Sequence, residues 1–143
     1  MATLKVEIVT PEAPLWVGEA TALIARSSEG WFTVLPQHTS TVGDVVPSVV
    51  RVDTNEGEIE IAVHGGFFQV GPSDVEGETL ATVLAGIAEK IADIDVVRAQ
   101  AAKERAEAEI ATESRGDQSE SAAGVLSQAA LNRAELRLSA AAK

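Results

Sequence analysis

Cysteine and tyrosine are absent from the 143 residues, and the aromatic side chains amount to two tryptophans and three phenylalanines. Without cysteine there is no disulfide framework and no thiolate metal site, which fits a reducing compartment. With so few rings, the core has to be assembled from Val, Ile, Leu and Ala. No apolar run approaches the roughly 20 residues that cross a bilayer as a helix. The opening MATLKVEIVT has neither the basic start nor the apolar stretch of a secretory signal. A cytosolic protein is expected, with membrane contact only through a partner. His38 and His64 are the two histidines. Neither has a second His or Cys nearby, so no metal site is expected. His38 reads as a loop residue at an interface and His64 as a turn residue before Gly65-Gly66, where permissive backbone angles are needed. No glycine-rich phosphate loop opens a helix, and no GxSxG context surrounds a serine, so neither ATP hydrolysis nor serine hydrolase chemistry is legible.

Basic side chains are also scarce. Lys and Arg number 11 against 22 Asp and Glu, for a net charge of −11. Such a field repels nucleic-acid phosphates, and no nucleic-acid partner is expected. The imbalance is local. Residues 1–89 carry three basic and 13 acidic side chains, whereas residues 90–143 carry eight and nine. Most of the cations therefore lie in the C-terminal third.

The two parts also differ in periodicity. Leu4, Val6 and Ile8 alternate with polar residues, as in a half-buried strand. Strands are predicted at Leu15–Val17, Ala20–Arg26, Trp31–Leu35, Val45–Val46, Val49–Asp53, Glu58–Val63, Phe67–Val70 and Thr79–Leu84. Gly, Pro, Asn or Asp separates most of them, with a turn at Gly71 to Asp74. Strands every 8–12 residues with no intervening helix argue for an antiparallel β-sandwich or barrel. From about residue 85 the chain becomes Ala-rich and charge-laced. Ile94, Val97, Ala101, Ala108 and Ala111 form a narrow stripe at helical spacing, with Asp93 as the expected N-cap. One helix is predicted to about Thr112, a polar connector at Ser114–Ser119, and a second helix from about Ser121 to Ala140 with Leu131, Ala134 and Leu138 on one face. So short a link makes an antiparallel helical hairpin. The domains are expected at 1–88 and 89–143. Alanine at the seam buries little area, so a weakly held, mobile hairpin is expected.

At roughly 100° per residue, Arg98 and Arg105 lie within about 20° of each other, with Asp95 one turn before Arg98. Arg133 and Arg137, four apart, share a face of the second helix. Pairing the helices would gather four guanidinium groups into a cradle suited to phosphates. Asp95 and Glu89 would meet the sugar or base of a nucleotide. The plainer alternative is that these side chains make exposed ion pairs of little energetic consequence.

Four stretches in order, LKVEIVTPEAPLWV from Leu4, SEGWFTVLPQH from Ser28, AVHGGFFQV from Ala62 and IDVVRA from Ile94, make the chain resemble the epsilon subunit of bacterial F-type ATP synthase over its whole length. The resemblance implies a ten-stranded sandwich followed by a helical hairpin. It implies a non-catalytic rotor subunit of the central stalk in a proton-translocating complex, peripheral at the cytoplasmic face of the cell membrane. Its partners would be the gamma subunit, the c-ring and, with the hairpin extended, the alpha and beta subunits, where the hairpin would block ATP hydrolysis. Ser28, Glu29, Gly30, Trp31 and His38 would belong to the c-ring and gamma interface. No cofactor is required, but ATP is implied as a regulatory ligand. Its site, carried over by position, comprises Glu89, Ile94, Asp95, Arg98, Ala99, Arg105, Arg133 and Arg137.

Some residues depart from the pattern. Thr33 and Gln37 stand where the family has glycines, and Trp31 where an acid is common. Thr39-Ser40-Thr41 replaces an apolar run, Glu76 to Thr79 resembles an insertion, and Gly86-Ile87 replaces an acidic turn. The changes at Trp31, Thr33, Gln37 and Thr39-Ser40-Thr41 imply a different conformation or partner surface for the ring-facing loop. The rival reading is a free-standing ATP-sensing module. A small sandwich hydrolase is disfavoured by the missing nucleophile context.

Overall fold

The computed structural model describes residues 2–113 and 122–141. The chain divides into two compact units, Met1–Lys90 and Ile91–Lys143. The division falls after Lys90 rather than residue 88.

The first unit is a β-sandwich. One sheet holds β1 (Thr3–Val9), β2 (Pro14–Ala20), β5 (Thr41–Val45), β8 (Gly66–Pro72) and β9 (Glu78–Ala85), in the order β2-β1-β9-β8-β5. The other holds β3 (Ala22–Ser27), β4 (Gly30–Val34), β6 (Ser48–Thr54), β7 (Gly57–Val63) and β10 (Ala88–Lys90), in the order β10-β7-β6-β3-β4. Leu4, Val6 and Ile8 are fully buried and face Leu23, Val50, Val52, Ile61 and Val63 of the opposite sheet in one core. Burying an aliphatic side chain of this size contributes about 1.5–3 kcal/mol. Phe32 of β4 and Phe68 of β8 meet across the layers with ring centroids 4.3 Å apart.

The sheets differ from the purely antiparallel expectation in one pairing. β1 lies parallel to β9, from Thr3 opposite Glu78 to Val9 opposite Leu84. Alternation within a strand says which face is buried, but strand direction depends on the partner, here some 75 residues away in sequence. Three local readings also change. β2 runs through Gly18, and the break comes at Thr21, whose amide donates to the Asp53 carbonyl at 2.7 Å. β8 runs through Gly71 and Pro72, so the turn begins at Ser73, whose hydroxyl donates to Glu78 Oε1 at 2.6 Å. Residues 88–90 pair with β7, with Ala88 opposite Val63 and Lys90 opposite Ile61, where helical character was expected. Three residues are too few to show a period.

The Gly65-Gly66 turn uses its two glycines differently. Gly65 adopts φ +103°, in the left-handed region. Gly66 has no such angle. A Cβ there would run into the Leu84 carbonyl oxygen of the adjoining strand.

The second unit opens with a 3₁₀ turn at Ile91–Asp93, followed by α1 (Val96–Glu113) and α2 (Ala122–Ala141), which pack together as a helical hairpin. The expected connector lies outside the described residues. Asp95, not Asp93, caps α1: its Oδ1 accepts from Arg98 N at 3.0 Å and its carbonyl accepts from Ala99 N at 2.9 Å. The 3₁₀ turn takes up Asp93 and ends with Ile94 N donating to the Ile91 carbonyl, which moves the first open helical amides two residues on. The stripe on α1 is also placed on another face. Val97 is 81% exposed, and Ala101, Ala108 and Ala111 are exposed, while Ala99 and Ala106 are buried. In a helix this rich in alanine, the small residues fall on several faces, and composition does not choose among them. On α2, Ala134 is buried and Leu131 and Leu138 are half-buried, in agreement with the predicted face.

Candidate functional site

Seven of the eight nucleotide-binding candidates belong to the second unit. Arg98 and Arg105 are exposed on α1, roughly a quarter turn from the buried face of Ala99 and Ala106. Arg133 and Arg137 are half-buried on α2, and Ile94 is half-buried ahead of α1. Asp95 is committed to the helix cap, which also places its negative charge at the positive end of α1. Among the described residues Arg98, Arg105 and Arg133 take part in no ion pair. Two acids of α1 have other partners: Lys103 Nζ lies 3.9 Å from Glu107 Oε1, and Gln100 Nε2 donates to Glu104 Oε1 at 3.3 Å. The ion-pair alternative therefore does not account for these three arginines. Forked donors left without carboxylates suit a polyanionic ligand.

The eighth candidate, Glu89, lies in the first unit on β10. Its Oε1 is 3.2 Å from Nε2 of His64, whose side chain is only 2% exposed. The His64 amide donates to the Ile87 carbonyl at 3.0 Å. The residues are 25 apart in sequence, and pairing of β10 with β7 brings them together. From sequence His64 reads as a turn residue, and no local signal reports the approach of a strand from so far along the chain.

The interface candidates fall at two places. Ser28, Glu29 and Gly30 form the β3–β4 turn, with Gly30 at φ +129°. Asp44 Oδ1 on β5 accepts from the Ser28 amide at 3.3 Å and the Ser28 hydroxyl at 3.1 Å, tying this turn to the other sheet. These hydrogen bonds from Ser28 hold the Asp44 carboxyl below the ordinary carboxylate value. Trp31 is 60% exposed, with the Arg26 guanidinium 5.9 Å from its ring centroid. His38 lies beyond the other end of β4. From Gly30 to Val34 is four steps of roughly 3.3 Å, so the strand alone separates the two places by roughly 13 Å. His38 Nδ1 lies 2.7 Å from the Thr39 carbonyl oxygen. Gln37 adopts φ +70°, the left-handed conformation for which glycine is suited, and its amide donates to Thr79 Oγ1 at 2.8 Å.

One feature of the first sheet escaped sequence reasoning. Val9, Leu84 and Phe67 stand opposite one another on β1, β9 and β8. Leu84 and Phe67 are 48% and 63% exposed, and Val42 on neighbouring β5 is 73% exposed. An open, largely apolar groove of about 320 Å³ lies alongside, lined by Val9, Thr10, Pro11, Leu84, Ala85 and Gly86. The signal was present in Phe67-Phe68, since neighbouring strand residues point to opposite faces and only one of the two can enter the core.

No group of three His, Asp or Glu suited to a metal ion occurs among the described residues, and no helix there is long and apolar enough to cross a membrane.

Residues 3–91 match the family described as ATP synthase, Delta/Epsilon chain, beta-sandwich domain. A Thermobifida fusca protein named ATP synthase epsilon chain is 45% identical over 109 residues, covering 74% of this chain and 76% of the relative. One of the same name from Alkalihalophilus pseudofirmus is 38% identical over 110 residues, covering 77% and 78%. Among solved structures, a chain of the Euglena gracilis mitochondrial ATP synthase OSCP/F1/c-ring assembly superposes with a TM-score of 0.77. That alignment covers 100% of this chain and 83% of the other at 21% identity, and it shows the likeness of fold.

Proposed function

The chain belongs to the ATP synthase epsilon-chain family, and from that premise we propose that it is a non-catalytic rotor subunit of the central stalk of an F-type ATP synthase. In this reading it transmits rotation of the c-ring, with the gamma subunit, to the catalytic head. The observation that carries it is the exposed row of Leu84 and Phe67 on the first sheet, with exposed Val42 on neighbouring β5. A single sandwich gains nothing by holding such a row in water, and surfaces of this kind mark protein contacts. The row and the adjoining groove suit an apolar face of gamma. The β3–β4 turn, braced by Asp44 and carrying Trp31, suits the polar loops of the c-ring. Membrane association then runs through the ring, at the cytoplasmic face. The named assembly of the structural relative, OSCP/F1/c-ring, accords with these partners.

The hairpin supplies regulation. It acts as a two-state element, one arrangement restraining ATP hydrolysis by the head and the other favoured by bound ATP. A ligand shifts such an equilibrium only by binding one state more tightly. The unpaired Arg98, Arg105 and Arg133 favour a phosphate-bearing ligand, and the same observation keeps the second reading, a free-standing ATP-sensing module, in play. Co-purification separates them. Wild-type protein should be isolated with gamma and the c-ring, and Phe67→Glu should abolish that association while remaining folded. Recovery of the wild type as a lone, ATP-binding monomer would favour the second reading instead.

A further inference from the structure

Lys5, Arg26 and Arg51 are the basic side chains of residues 1–89, set among 13 acidic ones. Two of them are engaged within the sandwich: Lys5 Nζ lies 3.5 Å from Glu7 Oε1, and Arg51 Nε lies 2.9 Å from Asp53 Oδ1. Arg26 takes part in no ion pair among the described residues, and its guanidinium stands 5.9 Å from the ring centroid of exposed Trp31. We infer that Arg26 and Trp31 form one anchor that selects a ring loop carrying a carboxylate. The inference rests on the reading that the β3–β4 turn faces the c-ring, and it adds the chemistry that the loop must offer.

The anchor is built by a strand pair. Arg26 and Trp31 stand opposite each other on β3 and β4, one pairing before the turn closes. Phe32 enters the core against Phe68, so its neighbour Trp31 points outward. Arg26 is exposed too, and β4 is the edge strand of its sheet. The backbone beneath is pinned. Val46 N donates to the Arg26 carbonyl at 3.0 Å, and Ser27 Oγ donates to the Gly30 carbonyl at 3.2 Å. Neither Glu29 in the turn nor Asp44 pairs with Arg26, since Asp44 Oδ1 accepts from Ser28 instead. A guanidinium and an indole N–H both donate and neither accepts, so the ligand must be an acceptor. A forked donor favours a carboxylate. Three basic against 13 acidic side chains give residues 1–89 a balance of −10, which repels a phosphate-rich surface over a wide area. A single loop carboxylate meets only its immediate surroundings, within a Debye length of about 8 Å. Trp and Arg are the side chains that most often dominate a protein contact, and a pinned backbone lowers the cost of ordering them.

The test measures rebinding of the full chain to its own ATP synthase stripped of this subunit, prepared as F1 alone and as F1 with the c-ring. Thermal unfolding checks that each variant is folded. Arg26→Glu should weaken binding to the ring-containing form by roughly tenfold or more, and leave binding to F1 alone within about twofold of wild type. Trp31→Ala should lose roughly fivefold in the ring-containing form only. Arg26→Lys keeps the charge without the fork and should lose roughly threefold. Exchanging the acid of the ring loop for Arg should bring Arg26→Glu back to within about threefold of wild type, because the two charges form one coupled pair. Wild-type affinity of Arg26→Glu for the ring-containing form would overturn the inference. So would an equal loss with and without the ring, which would mark Arg26 as a structural residue only. Failure of every acid-to-Arg exchange in the loop to rescue Arg26→Glu would overturn it as well. A wild type bound equally well with and without the ring would remove the ring-facing reading itself, and is seen before any substitution is made.

Discussion

The sandwich and the hairpin are held together by different side chains. In the first unit the fully buried positions include Leu4, Ile8, Leu23 and Ile61, whereas the buried hydrophobic residues described in the second are Ala99, Ala106, Ala134 and Ala140. A methyl side chain removes far less apolar area from water than a butyl one, so the cohesion per contact differs several-fold. The two regions thus show how one chain can join a strongly cohesive sandwich to a helical hairpin held by alanines alone among its described buried hydrophobic residues.

Substitutions in each unit put this contrast under strain. The largest effect is expected at Gly66→Ala, where the new Cβ meets a backbone carbonyl that cannot yield without moving β9. The sandwich should lose upwards of about 3 kcal/mol, read by chemical denaturation. A loss below about 1 kcal/mol would mean that the sheet is more pliant than described. Asp95→Ala removes the cap of α1 and should cost about 1 kcal/mol of helix stability. Amide exchange should quicken in the first turn of α1 while the sandwich amides stay protected, and quickening in both units together would contradict their separate cohesion.

Gln37→Gly should raise sandwich stability by about 0.5 kcal/mol. Relief of about 1–2 kcal/mol of left-handed strain is partly offset by the greater freedom of glycine in the unfolded chain. A lower melting temperature would show that the Gln37 side chain makes up for its backbone angle. The smallest effect concerns Asp44. Because Ser28 depresses its pKa in the folded protein, the contribution to stability is present above the unfolded value and is lost as pH falls through the folded one, below about pH 4. Ser28→Ala should raise the Asp44 pKa toward the ordinary carboxylate value, as followed by carboxyl NMR. An unchanged titration would remove the tie between the sheets.

Much of this architecture was legible before folding was considered. Leu4, Val6 and Ile8 announced a strand with one buried face, and the change to helical spacing after the last long strand announced the hairpin. Asp93 was the wrong cap because a 3₁₀ turn intervened, a choice made by backbone hydrogen bonds that any Ile-Ala-Asp segment leaves open. Val97 stood on the wrong side because alanine on every face of α1 gives no gradient for burial to follow.

The arginines of the hairpin were found by counting residues along a helix, since helical neighbours are set within one or two turns. The exposed row of Phe67 and Leu84, the clasp of His64 on Glu89 and the parallel run of β1 beside β9 could not be counted in that way. Each depends on strands far apart in the chain lying side by side. Sheet pairing is non-local, so strand order and direction are decided by burying both inner faces at once. Amino-acid order alone therefore established the elements, their inward faces and the helical spacing of the arginines, while the folded sandwich decided which distant side chains would meet.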